Sequence, residues 1–199
     1  MQEYICNMRL SINIILLLTV IFFTTNACKS SKKSSSSKKK TVDKSEKLTK
    51  STPLLSPKDK EIKEKYAQAL GVSEKDIDNL KLYYFIDEWM GVPYKYGGKD
   101  KNGIDCSGFT SLLYREVYNK NVSGPTSSLI DLTNIISESN LKEGDMVFFH
   151  FEKKGKVSHV GVYLQNNKFV HATTKKGVMI NDLNENYYKQ NYFKSGRVK

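Results

Sequence analysis

Cysteine is scarce in this chain. Cys6, Cys28 and Cys106 are the only three in 199 residues, and no two form a CxxC pair. Such spacing argues against a disulfide scaffold and against a structural zinc site. Four prolines and twelve glycines exclude a collagen-like chain. A hydrophobic content of 39% with 11% aromatics excludes a coiled coil or a wholly disordered polymer. No internal repeat and no phosphate-cradling glycine loop is present. Charge of one sign is also missing where a nucleic-acid-binding face would need it. Eleven lysines against Asp43, Glu46 and Asp59 give +8 in residues 29–60, and Arg9 cancels Glu3 in 1–28, so only +3 of the total +11 falls on 61–199. A DNA- or RNA-binding domain carries its positive charge on the folded face that meets phosphate. No nucleic-acid partner is expected here.

A long membrane span is absent too. The apolar run Ile14–Phe23 has ten residues, about half of the roughly 20 that a spanning helix needs. With Arg9 before it and Thr24, Thr25 and Ala27 after it, the segment reads as a secretory signal peptide over 1–27, and Met8 serves as a start as well as Met1. A retained N-terminal anchor is the alternative. Thr25-Asn26-Ala27-Cys28 resembles a bacterial lipobox, with Thr25 in place of the usual leucine, and Cys28 is the expected lipidated residue. The stretch 28–57 begins Cys28-Lys-Ser-Ser-Lys-Lys-Ser-Ser-Ser-Ser-Lys-Lys-Lys40 and is expected to be a disordered tether. As a flexible coil it spans on the order of 30 Å. Its lysines either press it against anionic headgroups, at about 1 kcal/mol each, or simply keep it solvated.

With Cys6 and Cys28 so assigned, Cys106 is the one free thiol of a folded region expected over 58–199. Ser56-Pro57 followed by acids reads as a helix start. A second helix is expected over Leu80–Met90, ended by Gly91. The loop Val92–Gly98 precedes a third helix that opens at Asp105-Cys106-Ser107-Gly108 and runs to about Tyr118. Ser127/Ser128 are expected to cap a short helix through Ile135. Beyond Gly144 the period becomes that of strands, at Asp145–Phe151, His159–Leu164, Lys168–Thr173 and Gly177–Asp182, with a short last strand near Arg197-Val198. Helices first and antiparallel strands second make an α+β fold.

A thiol at a helix N-terminus lies in the field of unpaired N–H groups, which lowers its pKa and favours the nucleophilic thiolate. Asp105 opposes that effect unless its carboxylate turns away. Only His150, His159 and His171 are available as a base. His150 ends a strand and is expected to pack or to be solvated. Strand parity constrains the other two. A two-residue turn at Asn166-Asn167 puts His159 and His171 on opposite sheet faces. A three-residue loop, Gln165-Asn166-Asn167, places them as diagonal neighbours on one face, roughly 7–8 Å apart at the backbone. A Cys-His-His triad therefore requires the odd-numbered loop, and asparagine suits its left-handed positions.

Five motifs now stand in order: Val92-Pro-Tyr-x-Tyr-Gly-Gly98, Asp105-Cys-Ser-Gly-Phe109, Leu141-Lys-Glu-Gly-Asp145, Ser158-His-Val-Gly-Val-Tyr163 and Phe169-Val-His-Ala172. Together, across 80–199, they resemble the NlpC-type (NlpC/P-sixty) cell-wall cysteine peptidases, and among them the single-domain murein endopeptidase lipoproteins. The resemblance implies a reduced papain-like fold. It implies Cys106 as nucleophile, His159 as base and later acid, and His171 as the residue orienting His159. Tyr94 then stands near the thiol, where its hydroxyl is expected to help hold the oxyanion, and Asp105 and Ser107 match positions that bind the stem peptide. The implied reaction is hydrolysis of peptidoglycan stem-peptide or cross-link amides through an acyl-enzyme, without cofactor or metal, by a monomer. The one-domain lipoprotein layout leans toward the cross-link. Lys29, where an aspartate would favour inner-membrane retention, points to an outer-membrane anchor facing the periplasm. Three other readings remain: an idle cell-wall binding module, a zinc hydrolase using Cys106, His159 and His171 as ligands, and an acyltransferase on the same fold.

Overall fold

The computed structural model describes residues 55–199. The expectations for the signal segment, Cys28 and nearly all of the tether lie outside those residues. Helix α1 (Pro57–Leu70) starts where Ser56 Oγ accepts from the Asp59 N–H and the Asp59 carboxylate accepts from the Ser56 N–H. Two orphan donors of the first turn are thus satisfied reciprocally. Helix α2 (Leu80–Trp89) is capped by Asn79, whose side chain accepts from the Leu82 N–H, and it buries Leu82, Phe85, Ile86 and Trp89. A two-stranded hairpin, β1 (Lys99–Asp100) and β2 (Gly103–Ile104), then leads into α3 (Cys106–Tyr118).

The next segment departs from the sequence reading. Ser127 and Ser128 cap nothing: α4 (Thr126–Leu129) begins after Pro125, a 3-10 turn covers Ile130–Leu132, and Thr133–Ile136 is strand β3. The apolar run fits either period locally. Pairing with the far end of the chain decides it, because Thr133 lies against Val198 and Ile136 against Ser195. Four strands follow as β4 (Met146–Phe149), β5 (His159–Tyr163), β6 (Lys168–Thr173) and β7 (Gly177–Asp182). A short helix α5 (Asn186–Asn191), unmarked in the sequence pattern, precedes β8 (Tyr192–Val198), which is longer than the expected two-residue strand. The strands form one six-stranded antiparallel sheet in the order β3-β8-β4-β5-β6-β7.

Alternation along the strands divides the apolar side chains between two clusters. Met146, Phe148, Val160, Val162, Val170 and Ala172 pack with residues of α1, α2 and α3, including Tyr66, Ile86 and Phe109. Val147, Phe149 and Phe169 pack with Leu183 and Tyr188 of the α5 region. The architecture is therefore α+β, with the main helices and the short α5 contributing to different clusters.

Candidate active site

Asp105 is the N-cap of α3, and Cys106 is the helix's first residue. The Asp105 carboxylate accepts three hydrogen bonds. Its Oδ1 accepts from the Gly108 N–H at 2.6 Å and from Ser107 Oγ at 2.8 Å, while its Oδ2 accepts from the Gly97 N–H at 2.8 Å. One side chain thus caps the helix and ties down the Val92–Gly98 loop. Close approach of that loop depends on Gly108, since a Cβ there would lie 2.7 Å from the Gly98 carbonyl oxygen.

Cys106 is only 5% exposed. Its Sγ shares a hydrogen bond with Thr126 Oγ1 at 3.5 Å. The expected lowering of its pKa does not prevail in the free protein. Burial pushes the thiol up, Thr126 and the backbone N–H groups of Val160 and Ser107 pull it down, and Asp105 adds a smaller upward push. Desolvation of the charged form outweighs the helix-start field, so the resting sulfur is a thiol. Thr126 and Val160 are contributors that sequence reasoning missed. Only Gly124-Pro125, by breaking the chain just before Thr126, hints that this segment turns back toward the nucleophile.

The two histidines stand as the odd-numbered loop requires. Val162 pairs with Val170 and Tyr163 with Phe169, Leu164 N–H and Lys168 C=O close the loop, and Gln165-Asn166-Asn167 lie between. Asn166 and Asn167 take φ of 49° and 60°. His159 Nε2 lies 2.7 Å from His171 Nδ1, and among the described residues His159 Nδ1 has no hydrogen-bond partner. His171 Nε2 is 2.9 Å from Asn181 Oδ1. Phe151 packs 5.3 Å from the His159 ring, and Phe169 packs 4.5 Å from the His171 ring. This dry wall disfavours imidazolium. Burial, with a further push from His171, holds His159 well below its usual range, and burial lowers His171 to about 4. His150 lies apart, packed edge-on against Phe193 at 5.5 Å.

Thiol and imidazoles line two separate cavities that have three bordering residues in common. Cys106, Asp105 and Ser107 line one cavity with Thr126. His159 and His171 line the other with Tyr187 and Tyr188, and Tyr94, Glu152 and Ser158 border both. Tyr94 is pushed up to about 12 by burial and then by the neighbouring Cys106 and Asp105, so its hydroxyl keeps its proton. Among the described residues no group of three His, Cys, Asp or Glu side chains is placed to hold a metal ion.

A thiol on the first turn of a helix, with paired histidines on adjacent strands of an antiparallel sheet, defines a papain-like α+β domain. The chain belongs to the NlpC/P60 family, whose model matches residues 91–197. It is 42% identical over 111 residues to the murein DD-endopeptidase MepS/murein LD-carboxypeptidase of Escherichia coli K12, a match covering 56% of this chain and 58% of that protein. A probable endopeptidase NlpC homolog of Haemophilus influenzae is 42% identical over 112 residues, covering 56% of this chain and 58% of that protein. The match thus leaves over a third of each relative's length uncovered. Among solved structures, an NlpC/P60 family protein from Bacillus cereus superposes with a TM-score of 0.56 at 27% identity, over 61% of this chain and 40% of that one.

Proposed function

We propose that this protein is a peptidoglycan endopeptidase, cutting stem-peptide or cross-link amides through Cys106, His159 and His171. The observation that carries the reading is the ordered pair of imidazoles. His159 Nε2 is held by His171, which leaves Nδ1 as the nitrogen available to a thiol. In the free enzyme both partners are neutral, so the proton moves only as sulfur attacks the amide carbonyl. His159 Nδ1 takes that proton while the Sγ–C bond forms. The oxyanion is held by N–H groups at the start of α3 and by the Tyr94 hydroxyl. Collapse breaks the C–N bond, and His159 returns the proton to the departing amine. The imidazole then activates water, which cleaves the thioester and regenerates the thiol. Asp105 and Ser107 border the thiol's cavity, where the stem peptide lies against them. Similarity to a murein DD-endopeptidase supports a murein substrate.

The envelope reading extends this activity. Cys28 carries lipid, the Lys/Ser segment behind it is the tether, and the domain works as a monomer from the outer membrane into the periplasmic murein. Mass spectrometry of the mature N-terminus tests the anchor: an acylated Cys28 supports it, and an unmodified terminus refutes it. The activity is tested by digesting purified muropeptides with wild type and with Cys106→Ala. New free amines from wild type alone are expected, and identical chromatograms from both would refute the reading.

A further inference from the structure

The second histidine is itself held by a chain of hydrogen bonds that runs out to the surface. Asn181 lies on β7 opposite Phe169, two positions along from Met179, which faces His171. Its Oδ1 sits 2.9 Å from His171 Nε2, while its Nδ2 donates to both oxygens of Glu185, at 2.9 and 3.2 Å. Glu185 is exposed at the start of α5, where Oε1 also accepts from the Asp182 N–H at 2.9 Å. A carboxylate accepts and does not donate. Glu185 therefore takes the amino end of the Asn181 amide and turns its carbonyl end toward His171.

The consequence propagates one bond at a time. A carbonyl oxygen only accepts, so His171 must carry its proton on Nε2, and its Nδ1 becomes an acceptor. His159 Nε2, 2.7 Å away, must then be the donor. A neutral imidazole has a single N–H, so His159 Nδ1 is left with a lone pair. That is the nitrogen a general base needs for the thiol proton. The Tyr188 hydroxyl, 3.4 Å from His171 Nε2, accepts the same proton more weakly and leaves the order unchanged. We propose that Asn181 and Glu185 are positioning residues that fix, through His171, the base-competent tautomer of His159. The proposal rests on the endopeptidase reading only for its catalytic consequence, since the tautomers exist without substrate.

The test uses full-length protein labelled with 15N at histidine. Long-range 15N–1H spectra at neutral pH are expected to show both His159 and His171 protonated on Nε2. Glu185→Lys replaces an acceptor with a donor, so the Asn181 amide flips and both rings move to the Nδ1–H form. With Glu185 outside the cleft lining, kcat and the rate of Cys106 alkylation by iodoacetamide fall about 10- to 100-fold, while KM stays within about twofold. Asn181→Asp placed in a Glu185→Ala background presents acceptors only, and it restores the Nε2–H tautomers and the alkylation rate. Wild-type spectra showing His159 protonated on Nδ1, or unchanged tautomers and alkylation in both Glu185→Lys and Glu185→Ala, would overturn the proposal. A wild type with Nε2–H tautomers but no action on murein would sink the endopeptidase reading and leave this inference standing.

Discussion

Burial governs ionisation at Tyr94, Cys106, His159 and His171. His171 is 1% exposed and is held to about 4, against 6.5 for an unperturbed histidine, and His159 is pushed down as well. Between those two values an unfolded chain binds protons that the folded chain refuses, so stability falls as pH drops through that window. The thermal midpoint should decline by several degrees from pH 7.5 to 4.5 in calorimetry, and His171→Gln should flatten the slope. A midpoint independent of pH would contradict the assigned burial. Cys106, His159 and His171 could be singled out as candidates because the sequence offers so few thiols and imidazoles. The state of the thiol was not legible, because it depends on Thr126 and Val160, which reach Cys106 only through the fold.

At the scale of elements, the hairpin of β5 and β6 shows what a sequence can dictate. Parity left two arrangements open, and the three-residue loop, with Asn166 and Asn167 supplying the positive φ values, is the one that puts both histidines on one face. Gly161 lies on that face between them in register. A Cβ there would sit 2.7 Å from Phe169 Cδ2 and 3.3 Å from His171 Cβ. Gly161→Ala should therefore lose about 1–3 kcal/mol in denaturant unfolding through overpacking, and activity should fall as His171 is displaced. Wild-type stability would show that the sheet yields more easily than argued. Strand β3 and helix α5 were not legible. Thr133–Ile136 becomes a strand only because β8 supplies its partner 60 or so residues away. Helix α5 has six residues, too short to impose a period, and its one buried residue, Tyr188, packs against the histidine wall.

For the whole molecule, the end of the chain is fastened to the strand that begins the sheet's core. Asp145 is 3% exposed. Its carboxylate accepts from the Lys142 N–H at 2.7 Å and, in fork geometry, from Arg197 Nε at 2.8 Å and Nη2 at 2.7 Å. Arg197→Met leaves that buried carboxylate short of a partner. With the guanidinium partly exposed, the expected loss is about 2–3 kcal/mol, below the usual range for breaking a fully buried pair. Denaturant titration reads it, and an unchanged midpoint would mean that water replaces the guanidinium. If Cys106 is the nucleophile, it carries the substrate's acyl group during turnover. Acid-quench intact-mass analysis, milliseconds after mixing with muropeptide, tests it most directly. An adduct of the acyl fragment's mass is expected on the intact wild-type protein and absent in Cys106→Ala. Turnover by Cys106→Ala, or by wild type with no such adduct at any quench time, would contradict it.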